Sequence, residues 1–111
     1  MIKNAVIEST MLGREDHGIM TFIITINFDS CMSCGVGGYS LDQYDPDTKT
    51  RVFKAKSMEV ISKILDVVGV DSWEKLPRKY IRFEDDGWGS RVTKIGNIIE
   101  DKWLDFEEFF A

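Results

Sequence analysis

Residues 19–28 alternate without a break. Met20, Phe22, Ile24, Ile26 and Phe28 fall on one side, and Ile19, Thr21, Ile23, Thr25 and Asn27 on the other. A strict period of two, rich in β-branched residues, predicts a strand, because successive side chains leave an extended backbone on opposite faces. Residues 2–12, with Val6, Ile7 and a rougher alternation, predict a strand before it. The polar, glycine-flanked run Gly13-Arg14-Glu15-Asp16-His17-Gly18 joins the two as a hairpin. Residues 79–84 alternate again, with Tyr80 and Arg82 opposite Ile81 and Phe83, and residues 91–98 return as their partner across a turn at 85–90. That is a second hairpin. Residues 39–43 and 51–55 read as short extended pieces, with a turn around Pro46 between them. The stretch 29–38, DSCMSCGVGG, reads as a loop of small residues.

Helical spacing is clear in one place. Ile61, Ile64, Leu65 and Val68 form a single apolar stripe. Ser57 stands where an N-cap hydroxyl accepts free amide hydrogens, and Gly69 where a left-handed residue ends a helix. Asp71-Ser72-Trp73-Glu74 resembles a small capping box and predicts one further helical turn before Pro77. Phe106, Phe109 and Phe110 suit a short amphipathic helix in the acidic tail. Strands in runs with one main helix predict an α+β fold: an antiparallel sheet of two hairpins plus short strands, packed on the helix that starts near Ser57. The length, 111 residues, predicts one domain over 1–111.

Composition narrows the function classes. Hydrophobic residues are 43% and charged residues 30%, a balance that excludes a disordered chain. The net charge of -5 argues against bulk nucleic-acid binding, which needs a cationic footprint. No stretch approaches the roughly 18 apolar residues of a membrane span, and the start lacks a signal-peptide layout. The expected location is the cytoplasm, with Cys31 and Cys34 as reduced thiols.

Five places in the chain offer candidate chemistry. Cys31 and Cys34 have only one His and no other Cys to complete a zinc site, so no metal is expected. Gly35-Val36-Gly37-Gly38 lacks the following helix of a dinucleotide fingerprint, and no cofactor is expected. His17 has no nucleophile that sequence alone pairs with it, so no catalytic residue is assigned; it reads as an exposed turn residue or a ligand contact. Two acid-free basic runs, Lys49 to Lys56 and Lys75 to Arg82, are able to build a local anion pocket despite the net charge, or are simply solvated faces. Finally, Phe83, Trp88, Arg91, Asn97 and Trp103 gather aromatic, cationic and amide groups around the second hairpin. Aromatic faces stack bases and Arg meets phosphate, although Phe83 and Trp103 also read as core.

Three stretches carry a family likeness: Asn4-Ala5-Val6-Ile7-Glu8-Ser9-Thr10-Met11-Leu12-Gly13 with Glu15-Asp16-His17-Gly18-Ile19-Met20-Thr21, then Gly37-Gly38-Tyr39-Ser40-Leu41-Asp42, then Ile95-Gly96-Asn97-Ile98-Ile99-Glu100-Asp101-Lys102-Trp103. Together they resemble small phage and prophage proteins of the Thoeris anti-defence family, first type. Cys31-x-x-Cys34 departs from the glycine-rich loop expected there. The resemblance implies a phage protein in the host cytoplasm, a homo-oligomer, that sequesters a cyclic ADP-ribose-type immune signal and in some members also cyclic oligonucleotides. It implies no enzyme activity. The alternative is a phage inhibitor that binds a host defence protein, such as a nuclease, directly; degradation of the signal is a third. For the sequestering reading, the ligand-binding candidates are Arg14, His17, Phe83, Trp88, Arg91, Asn97 and Trp103. Phe83 or Trp88 would stack the base, Arg91 meet phosphate, and Asn97, six positions on, contact a polar edge from the same strand face.

Overall fold

The computed structural model describes residues 2–15, 17–29, 32–85 and 91–111. The elements run β1 (Ile2–Glu15), β2 (Ile19–Phe28), β3 (Met32–Ser40), β4 (Asp42–Asp45), β5 (Thr50–Phe53), α1 (Ser57–Val68), a 3₁₀ turn (Trp73–Lys75), β6 (Tyr80–Asp85), β7 (Val92–Asn97), β8 (Trp103–Asp105) and α2 (Phe106–Phe110). Six strands form one antiparallel sheet in the order β3-β2-β1-β6-β7-β8, and β4 and β5 form a small separate pair. The fold is α+β. Both hairpins form, and they meet at the middle of the sheet where Ile2 to Val6 of β1 pair with Glu84 to Tyr80 of β6. Among the described residues no helix is long and apolar enough to cross a membrane.

One face of the sheet holds the core. Ala5 and Ile7 of β1, Phe22, Ile24 and Ile26 of β2, Val36 of β3, Ile81 and Phe83 of β6 and Ile95 of β7 are all buried. Against them lie Val60, Ile61, Ile64 and Val67 of α1, then Leu41, Leu76 and Phe106. Each such side chain contributes roughly 1.5–3 kcal/mol by leaving water, so this face fixes the register of every strand. The sheet curls, and β3 comes into contact with β7 although the two are not paired.

Several local expectations are corrected. Residues 32–38 are not a loop but most of β3, an edge strand. Gly35, Gly37 and Gly38 carry no strand pattern, yet β2 acts as a template from Phe28↔Met32 to Thr21↔Ser40. The extended piece expected at 39–43 is split: Ser40 ends β3 and Asp42 begins β4, with buried Leu41 at the bend. β8 was not anticipated. The role of Ser57 is reversed. Its Oγ donates to the carbonyls of Leu41 and, at 2.8 Å, of Lys54, so it ties α1 to the β3–β4 bend instead of accepting amide hydrogens. The N-cap position falls on Lys56 with no side-chain cap bond. The 3₁₀ turn likewise forms without a cap from Ser72, and Asp71 pairs with Lys75 at 2.8 Å. Gly69 does end α1 as expected: its φ is 91° and its N–H donates to the Leu65 carbonyl at 2.8 Å.

The small sheet is fastened to the large one by Asp42. The Asp42 carboxylate accepts from the Met20 N–H at 3.2 Å and from Arg51 Nη2 at 2.8 Å. The Arg51 guanidinium, helped by Met20, holds this carboxyl below the ordinary carboxylate range. A carboxyl whose folded value lies below its unfolded one stabilises at pH above the unfolded value and loses that contribution as pH falls through the folded one. Thermal melts from neutral pH to about pH 2 should therefore fall more steeply for the parent than for Asp42→Asn. Parallel curves would show that the ion pair adds nothing to stability.

Candidate ligand site

The end of β3 places Tyr39 beside the tail. Its ring stacks on Phe106 and Phe110, with centroids 5.4 and 4.8 Å away and planes 25° apart in each case. Phe106 is fully buried and anchors α2 in the core. The N-terminal end of β7 brings the Arg91 guanidinium to 4.1 Å from the Tyr39 ring centre, and Arg91 Nη2 donates to the Gly37 carbonyl at 3.0 Å. Next to this stack lies a cavity of about 350 Å³ lined by Tyr39, Ser40, Lys54, Ala55, Lys56, Phe110 and Ala111. It sits at the small end of the roughly 300–1,000 Å³ typical of small-molecule pockets.

Lys56 reaches from the start of α1 to the Phe109 carbonyl, at 2.6 Å, and lies 5.3 Å from the centre of that ring. Lys54, at the end of the small sheet, is exposed. The Tyr39 hydroxyl is buried and has no hydrogen-bond partner among the described residues. Burial pushes its phenol up from the ordinary value; nearby Arg91 works against the shift, and Glu107 and Asp105 add to it. The hydroxyl therefore stays protonated at neutral pH, a donor without an acceptor. An unsatisfied buried group costs about 1–3 kcal/mol, a cost carried by the packing around Tyr39. The cavity lining combines aromatic faces with two ammonium groups and no carboxylate side chain. Such a lining suits an anion that carries a flat ring.

Of the residues expected to bind ligand, Arg91 joins this stack. Phe83 does not: it is fully buried, its ring 5.0 Å from that of Phe28, and it offers no face to a base. Asn97 is fully engaged within the chain. Its Nδ2 donates to the Val67 carbonyl at 2.8 Å, tying β7 to α1, and its Oδ1 accepts from the N–H groups of Ile99 and Glu100 at 2.9 Å. Nor does the six-residue spacing join Asn97 to Arg91. The register with β6 shifts between Val92 and Lys94, not at Gly96, and interrupts the alternation. Trp103 packs across Gly96, where an added Cβ would meet the indole at 2.6 Å, and its ring centre lies 4.8 Å from the Arg82 guanidinium. Arg82 itself donates to the carbonyls of Asn97 and Glu100 at 2.7 and 2.8 Å, so this member of the basic runs is a clamp on the β7–β8 turn. Arg14 and His17 are exposed at the far end of the first hairpin, His17 with φ 64°. Trp88 and Cys31 lie outside the described residues.

Trp103 also borders two adjoining cavities of about 480 and 380 Å³ between α1 and β8. There Lys63, Lys94 and Lys102 are matched by Asp66, Asp105 and Glu108. The balance of charge makes this groove a poorer seat for an anion than the Tyr39 cavity. Tyr39, Lys54, Lys56 and Phe110 were not nominated together by the sequence. The basic run and the tail phenylalanines were visible there, but only the tertiary fold brings them to one cavity. No family model, curated protein or solved structure matches the chain.

Proposed function

We propose that this chain is a phage-encoded, non-enzymatic binding protein that sequesters a cyclic nucleotide immune signal of the cyclic ADP-ribose type and so blocks a bacterial antiphage defence. The observation that carries the reading is the Tyr39 cavity: stacked aromatic rings flanked by Lys54 and Lys56, with no carboxylate side chain in the lining. Phosphate oxygens meet the ammonium groups, and the ring of a base extends the Tyr39–Phe110 stack. The family resemblance of the sequence supports the same reading, and with it a homo-oligomer.

The test uses cyclic ADP-ribose as probe. A saturating amount, about 100 times Kd, should stabilise the folded protein by about 2.7 kcal/mol, read as a rise in Tm. Heating the complex should release the compound at its original mass. Lys54→Glu should weaken binding by at least about tenfold, since a charge-assisted hydrogen bond contributes roughly 1.5–3 kcal/mol, with little change in the Tm of the free protein because Lys54 is exposed. Release of an altered compound would make the protein an enzyme. Stabilisation by a host nuclease, and by no nucleotide, would establish the direct-inhibitor alternative.

A further inference from the structure

A further cavity lies where the ends of β1, β2 and β6 meet, and its chemistry differs. Ala5 and Ile7 point into the core, so Asn4 and Val6 point away from it. Val6 pairs with Asn27 on β2 and with Tyr80 on β6, and directly opposed residues of antiparallel strands share a face. Asn27, Val6 and Tyr80 therefore form a row across three strands, with Asn4 one step along. A cavity of about 350 Å³ opens at this row, lined also by Ala5, Phe28 and Asp29. Tyr80 opens β6, pairs with β1 alone and is 64% exposed.

No Lys or Arg side chain lines the cavity itself; the nearest placed ammonium is that of Lys3, 5.4 Å from the ring centre of Phe28 and engaged with that ring. Arg82 pairs with Asn4, but its guanidinium is engaged by the carbonyls of Asn97 and Glu100. The Asp29 carboxylate repels anions and accepts hydrogen bonds from hydroxyl groups. The amides of Asn4 and Asn27 both donate and accept. Val6 provides an apolar floor, and Tyr80 an exposed ring. Paired donors and acceptors beside an aromatic face match a ring that is apolar on its C–H face and hydroxylated around its edge. We propose that this cavity binds a neutral sugar ring, independently of the anion cavity at Tyr39.

The test is a titration of ¹⁵N-labelled protein with methyl glucoside, methyl galactoside, methyl mannoside and methyl riboside, following the side-chain amide resonances of Asn4 and Asn27. At least one glycoside should shift both resonances saturably, while inorganic phosphate leaves them in place. Tyr80→Ala and Asn27→Ala should each weaken that binding by about fivefold or more, the value of one lost contact. Tyr80→Ala should retain the parent's amide spectrum elsewhere, because its ring is largely outside the core. No saturable shift with any glycoside overturns the proposal. So does a phosphate-induced shift at these resonances, or a Tyr80→Ala variant that binds like the parent.

Discussion

Phe83→Ala is expected to destabilise the protein by about 3–5 kcal/mol and to leave the affinity of the folded fraction for nucleotide unchanged. The ring has no solvent exposure, it packs against Phe28, and its backbone pairs with Ile95 of β7 and Lys3 of β1 at the centre of the sheet. Deleting it loses the transfer energy of the ring and leaves a void between strands that pair on both sides and cannot close in. Small domains have about 5–15 kcal/mol in total, so this variant should sit near the edge of folding. Urea denaturation gives the first quantity and calorimetric titration the second. A loss below about 1 kcal/mol accompanied by lost ligand binding would return Phe83 to the base-stacking role that its place in the sequence suggested.

Gly37→Ala should be comparably damaging, for a different reason. Gly37 has φ 112°, a backbone conformation that L side chains rarely adopt. An added Cβ would also lie 2.6 Å from the Phe22 carbonyl oxygen and 2.7 Å from the Phe22 ring. Phe22 is fully buried and its backbone is paired with Leu12 of β1, at the point where the β2–β3 register shifts, so it has little room to step aside. Backbone strain of about 1–3 kcal/mol thus adds to a clash that only movement of β3 relieves. The same movement would draw the Gly37 carbonyl from Arg91 and shift Tyr39, two residues on. Nucleotide binding should therefore fall together with Tm, unlike in Phe83→Ala. A Gly37→Ala protein with parental Tm and affinity would show that β3 has no fixed register at this point.

What the sequence disclosed and what it withheld follow from how each element is held. β2 was legible because one of its faces is buried and the other is not, and burial imposes a period of two on the residue types. α1 was legible through its apolar stripe and Gly69. β3 was hidden because its pairing comes from β2 and not from its own side chains; a run such as Gly35-Val36-Gly37-Gly38 resembles a loop until a template lies beside it. β8 was hidden by its length, since Trp103 to Asp105 is too short for any period to appear. Ser57 was placed correctly at a helix start but given the wrong hydrogen-bond sense, because its acceptors on Leu41 and Lys54 belong to a bend that only the tertiary fold creates. Among candidate site residues, Arg91 lies against the Tyr39 ring. Asn97 carried the same polar signature but serves as an internal brace, a distinction that depends on whether a helix carbonyl stands opposite it.

The placement of β1 has a kinetic consequence. It is the first strand in the chain, yet one of its two neighbours is β6, beyond β2 to β5 and the whole of α1. A ribosome-bound chain that has reached only α1 can close the β1–β2–β3 meander, but the other edge of β1 remains unpaired, with Ala5 and Ile7 lacking their neighbours Ile81 and Phe83 on the same face. Contacts this distant in sequence are assembled against a large loop-closure entropy and are characteristic of slow folding. The interval between synthesis of β1 and arrival of β6 is thus when the chain is most open to pairing with another copy of itself, edge to edge.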